Sequence, residues 1–220
     1  MDFKSSPHHK IVAVVAAFNE AARISEVLSV LTTYHGFSEI IVVNDGSTDD
    51  TSAVVRRFDV RLISLQRNGG KGKAMALAAA KSDADILFFC DADVKGLTHR
   101  MIAETIAPVA LGHLDMMIAM RNRTIYNLRF ILRFIPLLGG ERAVSRELWE
   151  KVPQEYKDRF MIEAALNYYA YQNGGYDFIV FPGLSQTIKE IKYGIVYGGF
   201  ARVKMFIDVI RSQIRLRLKR

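Results

Sequence analysis

The run Ile86-Leu87-Phe88-Phe89-Cys90 followed by Asp91-Ala92-Asp93 constrains the fold more than any other stretch. Five consecutive apolar residues form a strand buried on both faces, as in a parallel sheet. Three further predicted strands precede it: Ile11 to Ala17, Glu39 to Val43 with Ile-Ile-Val-Val at its centre, and Val60 to Leu65. Between them lie helical patterns. Ile24, Val27, Leu28 and Leu31 recur at helical spacing, Ala53, Val54, Val55 and Phe58 follow the second strand, and Ala74 to Lys81 is alanine-rich. Strands alternating with helices predict an α/β fold: an open, mostly parallel, twisted sheet with helices on both faces.

In such sheets the ligand crevice lies at the carboxyl ends of the strands. Each run here ends in polar groups suited to a nucleotide: Glu20, Asn44 with Asp45, Lys71, and Asp91 with Asp93. Several have plainer explanations. Glu20 can serve a helix dipole, Ser47, Thr48 or Asp49 can cap the next helix, and an Asp-x-Asp triplet suits a turn, but capping does not account for Asn44 and Asp45. The stretch Asn68-Gly69-Gly70-Lys71-Gly72 before a helix is a usual way to hold phosphate, although it is not a Walker loop. Two carboxylates one residue apart repel unless a cation sits between them, and magnesium with a phosphate-bearing substrate fits that need. The convergence of these groups on one rim carries the functional reading.

Composition adds bounds. No run of about 18 apolar residues suggests a spanning helix, and the first ten residues carry no secretory-type apolar stretch. A lone Cys90 fits a reducing compartment and reads as a core residue. The expected location is cytoplasmic, with peripheral contact to the inner face of the membrane open through the tail. From Lys189 to Arg220 there are nine Lys or Arg against two acids, which accounts for the whole formal charge of +7. In that tail Phe200, Val203, Phe206, Ile207, Ile210 and Ile214 alternate with basic residues at helical spacing. The expected division is a catalytic domain over 1–188 and a basic amphipathic helix over 189–220, which packs on the sheet or lies on an anionic membrane surface.

The motif order resembles the family-2 glycosyltransferases, inverting enzymes of the nucleotide-diphospho-sugar transferase (GT-A) fold, and most nearly the polyprenyl- and dolichyl-phosphate sugar transferases. Ala16-Ala17-Phe18-Asn19-Glu20 stands for the opening Pro-x-x-Asn-Glu. Val43-Asn44-Asp45-Gly46-Ser47-Thr48-Asp49-Asp50-Thr51 stands for Val-Asp-Asp-Gly-Ser-x-Asp-x-Thr. Asn68 to Gly72 and Asp91-Ala92-Asp93 match unchanged, whereas Ala16 and Asn44 depart from the pattern. The resemblance implies a donor site at Ala16, Phe18 and Glu20, with Glu20 on the ribose, and at Asp45 and Gly46, with Asp45 on the base. Lys71, Gly72, Asp91 and Ala92 complete it. It implies Mg2+ or Mn2+ on Asp91 and Asp93, the latter also catalytic.

Later segments match less fully. Asp115 to Met120 and Tyr176 to Phe181 read as strands, and Tyr126 to Ile135 and Met161 to Asn173 as helices. Pro136 to Ala143 resembles an acceptor-side loop, which makes Arg142 a candidate for donor or acceptor phosphates. Glu163 matches the family's acid, the expected base when the acceptor is a hydroxyl and dispensable when it is a lipid phosphate. Gln186 stands where some relatives place a metal-binding histidine. The expected partners are a nucleotide-diphospho-sugar and an acceptor such as a polyprenyl phosphate. A nucleic acid is not expected, because the crevice acids would repel a polyanion. The competing readings are sugar-1-phosphate nucleotidyltransfer on a similar sheet and a basic membrane-surface adaptor.

Overall fold

The computed structural model describes residues 9–121, 139–158 and 161–186, with Gln186 described through its backbone alone. The expected helix over Tyr126 to Ile135 and the basic segment over 189–220 lie outside the described residues.

Among the described residues, seven strands form one sheet in the order β3-β2-β1-β4-β7-β6-β8. They are β1 (Ile11–Ala17), β2 (Glu39–Asn44), β3 (Arg61–Ser64), β4 (Ile86–Asp91), β6 (Met116–Arg121), β7 (Glu141–Ser145) and β8 (Tyr176–Phe181). Strands β1, β2, β3 and β4 pair in parallel, as do β6 and β8. Only β7 runs the other way, between β4 and β6. A two-stranded ribbon joins β5 (Val94–Lys95) to β9 (Ser185–Gln186).

The apolar runs are continuous because both faces of the sheet are covered. Val12, Val14, Ile41 and Val43 point to one face, under α3 (Lys71–Ala80), α5 (Arg146–Lys151) and α6 (Met161–Gln172). Ala13, Val15 and Val42 point to the other, under α1 (Ile24–Thr32), α2 (Thr51–Val55) and α4 (His99–Ala110). The α1 stripe of Ile24, Val27, Leu28 and Leu31 is wholly buried, as its spacing requires. The alanines of α3 let that helix lie close on β1 and β2, with Ala74, Ala78 and Ala79 buried.

Three boundaries differ from expectation. Helix α3 starts at Lys71 rather than Ala74, since Gly70 at φ 93° turns the chain into the helix three residues earlier. Helix α2 is a short Thr51–Val55 segment. The stretch from Gly139 to Ala143, read as loop, feeds directly into a central strand. Its Glu141-Arg142 pair hides the strand from a hydropathy reading, because the two charges are buried by pairing rather than by being apolar.

Candidate functional site

Topology explains why one rim gathers the polar groups. Strands β4 and β6 are both antiparallel to β7, so they run parallel to each other. The carboxyl ends of β1, β2, β4 and β6 therefore open on the same side. They deliver Glu20, Asp45, Asp91 with Asp93, and Arg121. The reversed β7 brings its first residue to that same rim, where Glu141 lies opposite Ala119.

The centre of the rim is a chain of alternating charges. Lys71 Nζ, at the first turn of α3, lies 2.7 Å from Asp91 Oδ1 and 2.7 Å from Glu163 Oε1. Asp91 Oδ2 faces Arg121 Nη2 at 3.5 Å, and Arg121 reaches Glu141 Oε2 at 3.3 Å. At the other end Glu163 Oε2 is 4.0 Å from Arg142 Nη2. Removing each ion from water costs several kcal/mol, and alternation is what offsets the cost. Burial pushes the Lys71 ammonium down, but Asp91 and Glu163 more than offset this and hold it above the ordinary lysine value. Burial likewise pushes Asp91 up, and Lys71 and Arg121 bring it below the usual carboxylate range.

Glu141 behaves differently. It is fully buried, and its Oε1 has no hydrogen-bond partner among the described residues. Burial, with the Asp91 charge adding to it, pushes its carboxyl from 4.5 up to about 7, against the pull of Arg121 and Lys71. Between those values the folded chain keeps a proton that the unfolded chain has released, so stability falls as pH rises through the window. Glu141→Gln removes this titration. Denaturant unfolding at pH 5 and pH 7.5 should show a smaller loss of stability for the variant than for the wild type; equal losses would mean that Glu141 ionises normally.

Arg142, expected at a phosphate, lies inside the protein at 0% exposure. Its Nε donates to the Gly139 carbonyl at 3.0 Å, Nη2 donates to the same oxygen, and Nη1 donates to Asn167 Oδ1 at 3.3 Å. The guanidinium thus fastens the turn that leads into β7. That turn sets Gly140 against Asp91, where a Cβ would overlap the carboxylate. Only glycine leaves the acid its place.

Asp45 accepts from the backbone N–H groups of Gly69 and Gly70, both at 2.7 Å, and so ties the glycine loop to the end of β2. Gly46 beside it has φ 73°, and a side chain there would meet the backbone of Arg67 and Asn68. Glu20 is buried, with Arg23 Nη1 3.2 Å from its Oε2. Ala16 closes β1 against Asp91 of β4, Phe18 lies in the turn after β1, Gly72 is buried in α3, and Ala92 is buried between the two aspartates.

Asp93 is 7% exposed, and its neighbour Val94 pairs with Gln186 across the β5–β9 ribbon, so the Gln186 backbone lies one residue from Asp93. Two shielded carboxylates at the mouth of the crevice are a donor set suited to a hard divalent ion whose remaining ligands are phosphate oxygens and water. Among the described residues no group of three or more His, Cys, Asp or Glu side chains is arranged to hold an ion unaided.

Sequence reading missed Arg121 and Asn167 as members of this cluster. The signal for Arg121 was present, because a lone arginine ends an otherwise apolar strand. Asn167 gave no signal, since it sits mid-helix among alanines and tyrosines.

No helix among the described residues is long and apolar enough to cross a membrane. Known proteins agree with the geometry. The sequence model of glycosyl transferase family 2 matches residues 12–163. A hyaluronan synthase of Streptococcus pyogenes is 31% identical over 165 residues, covering 65% of this chain and 38% of that protein. A dolichyl-phosphate beta-glucosyltransferase of Trichomonas vaginalis is 35% identical over 94 residues, or 36% of this chain and 28% of its own length. The chain therefore spans well under half of these relatives. Glucosyl-3-phosphoglycerate synthase from Mycobacterium tuberculosis, crystallised with Mn2+, UDP-glucose and glycerol 3-phosphate, shares the fold. Its TM-score is 0.78 at 21% identity, over 94% of this chain and 80% of that one. With the family match spanning most of the sheet and the rim acids, the chain belongs to glycosyl transferase family 2.

Proposed function

We propose that this chain transfers a sugar, with inversion, from a nucleotide-diphosphate donor to an acceptor bound on the α6 side of the rim. The observation that carries the reading is Lys71, whose ammonium joins Asp91 on the donor side to Glu163 on the acceptor side at 2.7 Å each. Glu20 would take the ribose hydroxyls and Asp45 an N–H of the base. Asp91 and Asp93 would hold Mg2+ or Mn2+, with Gln186 as a further oxygen ligand. A bound ion would offset the negative charge that grows on the departing diphosphate.

Glu163 would accept the proton of an acceptor hydroxyl. An anionic acceptor such as a polyprenyl phosphate would need no such base, and Glu163 would then orient Lys71. Arg142 works through its hold on the β7 turn and on Glu163 rather than on phosphate. The net basic excess of residues 189–220 suits contact with anionic lipid, worth about 1 kcal/mol per charge near such a surface. The catalytic unit is residues 1–188, and the inner face of the membrane is where a lipid-phosphate acceptor would be met.

Calorimetric titration with UDP, GDP and dTDP, with and without Mn2+, tests the reading. UDP is the first choice because the synthase above binds it with Mn2+. Metal-dependent binding of one of the three is expected. Absence of binding to all three would overturn the donor site and favour a non-enzymatic adaptor.

A further inference from the structure

The rim acids Glu20 and Asp45 sit on different loops, and the loops are stitched together by side chains that the mechanism above does not use. Three consecutive amides of the turn after β1 donate to side-chain oxygens of the loop after β2. Asn19 N–H bonds Ser47 Oγ at 2.9 Å, Glu20 N–H bonds Thr51 Oγ1 at 2.8 Å, and Ala21 N–H bonds Asp49 Oδ2 at 3.1 Å. In the reverse direction Thr48 N–H donates to Asn19 Oδ1 at 2.9 Å. The stitch closes on itself. Asp49 Oδ1 accepts from the amide of Thr51 at 3.0 Å and from the Thr51 hydroxyl. Asp45 N–H donates to the Ala17 carbonyl at 2.8 Å, so the two loops also meet at their roots.

Two features show that the arrangement is specific to these residue types. Asn19 adopts φ 55°, the left-handed region that asparagine tolerates and β-branched residues resist. Thr51 is fully buried, so its hydroxyl needs both the amide that it accepts from and the carboxylate that it donates to. Ser47, Thr48 or Asp49 was a candidate cap for α2. The helix takes no side-chain cap bond at Asp50; Asp49 Oδ1 holds its first amide, at Thr51, while Ser47 Oγ and Asp49 Oδ2 reach across to the turn after β1.

We infer that Asn19, Ser47, Asp49 and Thr51 are positioning residues that fix the span between Glu20 and Asp45. This inference rests on the proposed reading that these two acids hold the two ends of one nucleoside. A bidentate grip on a rigid ligand depends on the distance between its jaws, and a fixed span is what lets both contacts form without ordering a loop. The motif Asp-Gly-Ser-x-Asp-x-Thr therefore divides its labour. Asp45 ties down the glycine loop and, in the proposed reading, would also meet the base, whereas Ser47, Asp49 and Thr51 bond the turn after β1.

The test uses the full chain and whichever of UDP, GDP and dTDP the wild type binds most tightly, with Mn2+ present. Thr51→Val keeps shape and removes both hydrogen bonds, and Asn19→Gly keeps the backbone and removes the acceptor for Thr48. Each should weaken nucleotide binding about tenfold, the equivalent of one lost buried hydrogen bond. Thr51→Ser, which restores the hydroxyl, should bind within about twofold of wild type, well inside one such bond. The dissociation constant is read at a temperature where every variant is fully folded, so a purely structural role would lower the melting temperature without moving it. If Thr51→Val does not fold, Ser47→Ala at a half-buried position decides. A wild type that binds while Thr51→Val and Asn19→Gly bind equally well overturns the positioning role alone. A wild type that binds none of the three nucleotides overturns both this inference and the donor site.

Discussion

Asp93→Ala should lower sugar transfer by a factor on the order of 10³ while leaving the protein folded. The argument begins with charge. Asp91 is already held by Lys71 and Arg121, so its carboxylate has cationic partners without a metal. Asp93 follows two residues later, just past the same strand end, shielded from water and beside the ribbon that brings the Gln186 backbone near. With Asp91 it forms the carboxylate pair suited to a hard divalent ion. Losing it removes the ion's protein anchor just where negative charge accumulates on the leaving group. The same deletion removes repulsion among the rim acids and also an attraction to Arg121, so the two offset and the melting temperature should move little. Turnover is measured at saturating Mn2+ with calorimetry on the same preparation. Undiminished turnover would refute the assignment, and a collapsed melting temperature would show that Asp93 acts in folding instead.

Lys71→Met should produce the largest loss of stability of any single rim substitution. The methionine fills much the same volume, so packing survives, but Asp91 and Glu163 lose the cation between them. Breaking a buried pair by removing one partner typically costs about 3–5 kcal/mol, because the other charge is left uncompensated. For a chain of 220 residues this corresponds to a fall of roughly 10 °C in melting temperature. Removing the stranded charge as well should recover part of the loss, so Lys71→Met with Glu163→Gln should melt above Lys71→Met alone. Scanning calorimetry near pH 7 decides. Equal melting of wild type and Lys71→Met would mean that the ammonium is not what binds the two carboxylates. The result also separates two roles for this lysine. If it were chiefly a phosphate ligand, its loss would weaken nucleotide binding with little effect on melting.

The two substitutions probe features of different visibility in the chain. Asp91 and Asp93 can be read from the chain once the other rim groups are weighed with them, since an Asp-x-Asp triplet alone also suits a turn. The same holds for the strand-and-helix alternation from Ile11 to Asp91 and for the glycine-lysine loop. In this half local pattern and tertiary role coincide: a strand buried on both faces must be apolar along its length, and its functional residues can only sit where it ends. The match to glycosyl transferase family 2 covers this half and runs on to Glu163.

The second half obeys another rule. Glu141 and Arg142 read as a loop with a candidate phosphate ligand, yet they open a central strand and are fully buried. No periodicity could show it, because what makes their burial tolerable lies elsewhere in the chain: Arg121 some twenty residues earlier, Asn167 and Glu163 some twenty later, and Lys71 farther still. The loop motif after β2 was equally opaque in one respect, since helix capping and loop stitching call for the same serine, threonine and aspartate. Sequence alone settled which strands and acids exist and in what order, because burial on both sheet faces writes itself into consecutive apolar residues. The partner of each charge was settled only by the folded sheet, because an ion pair is a fact about two distant positions and leaves no mark at either one.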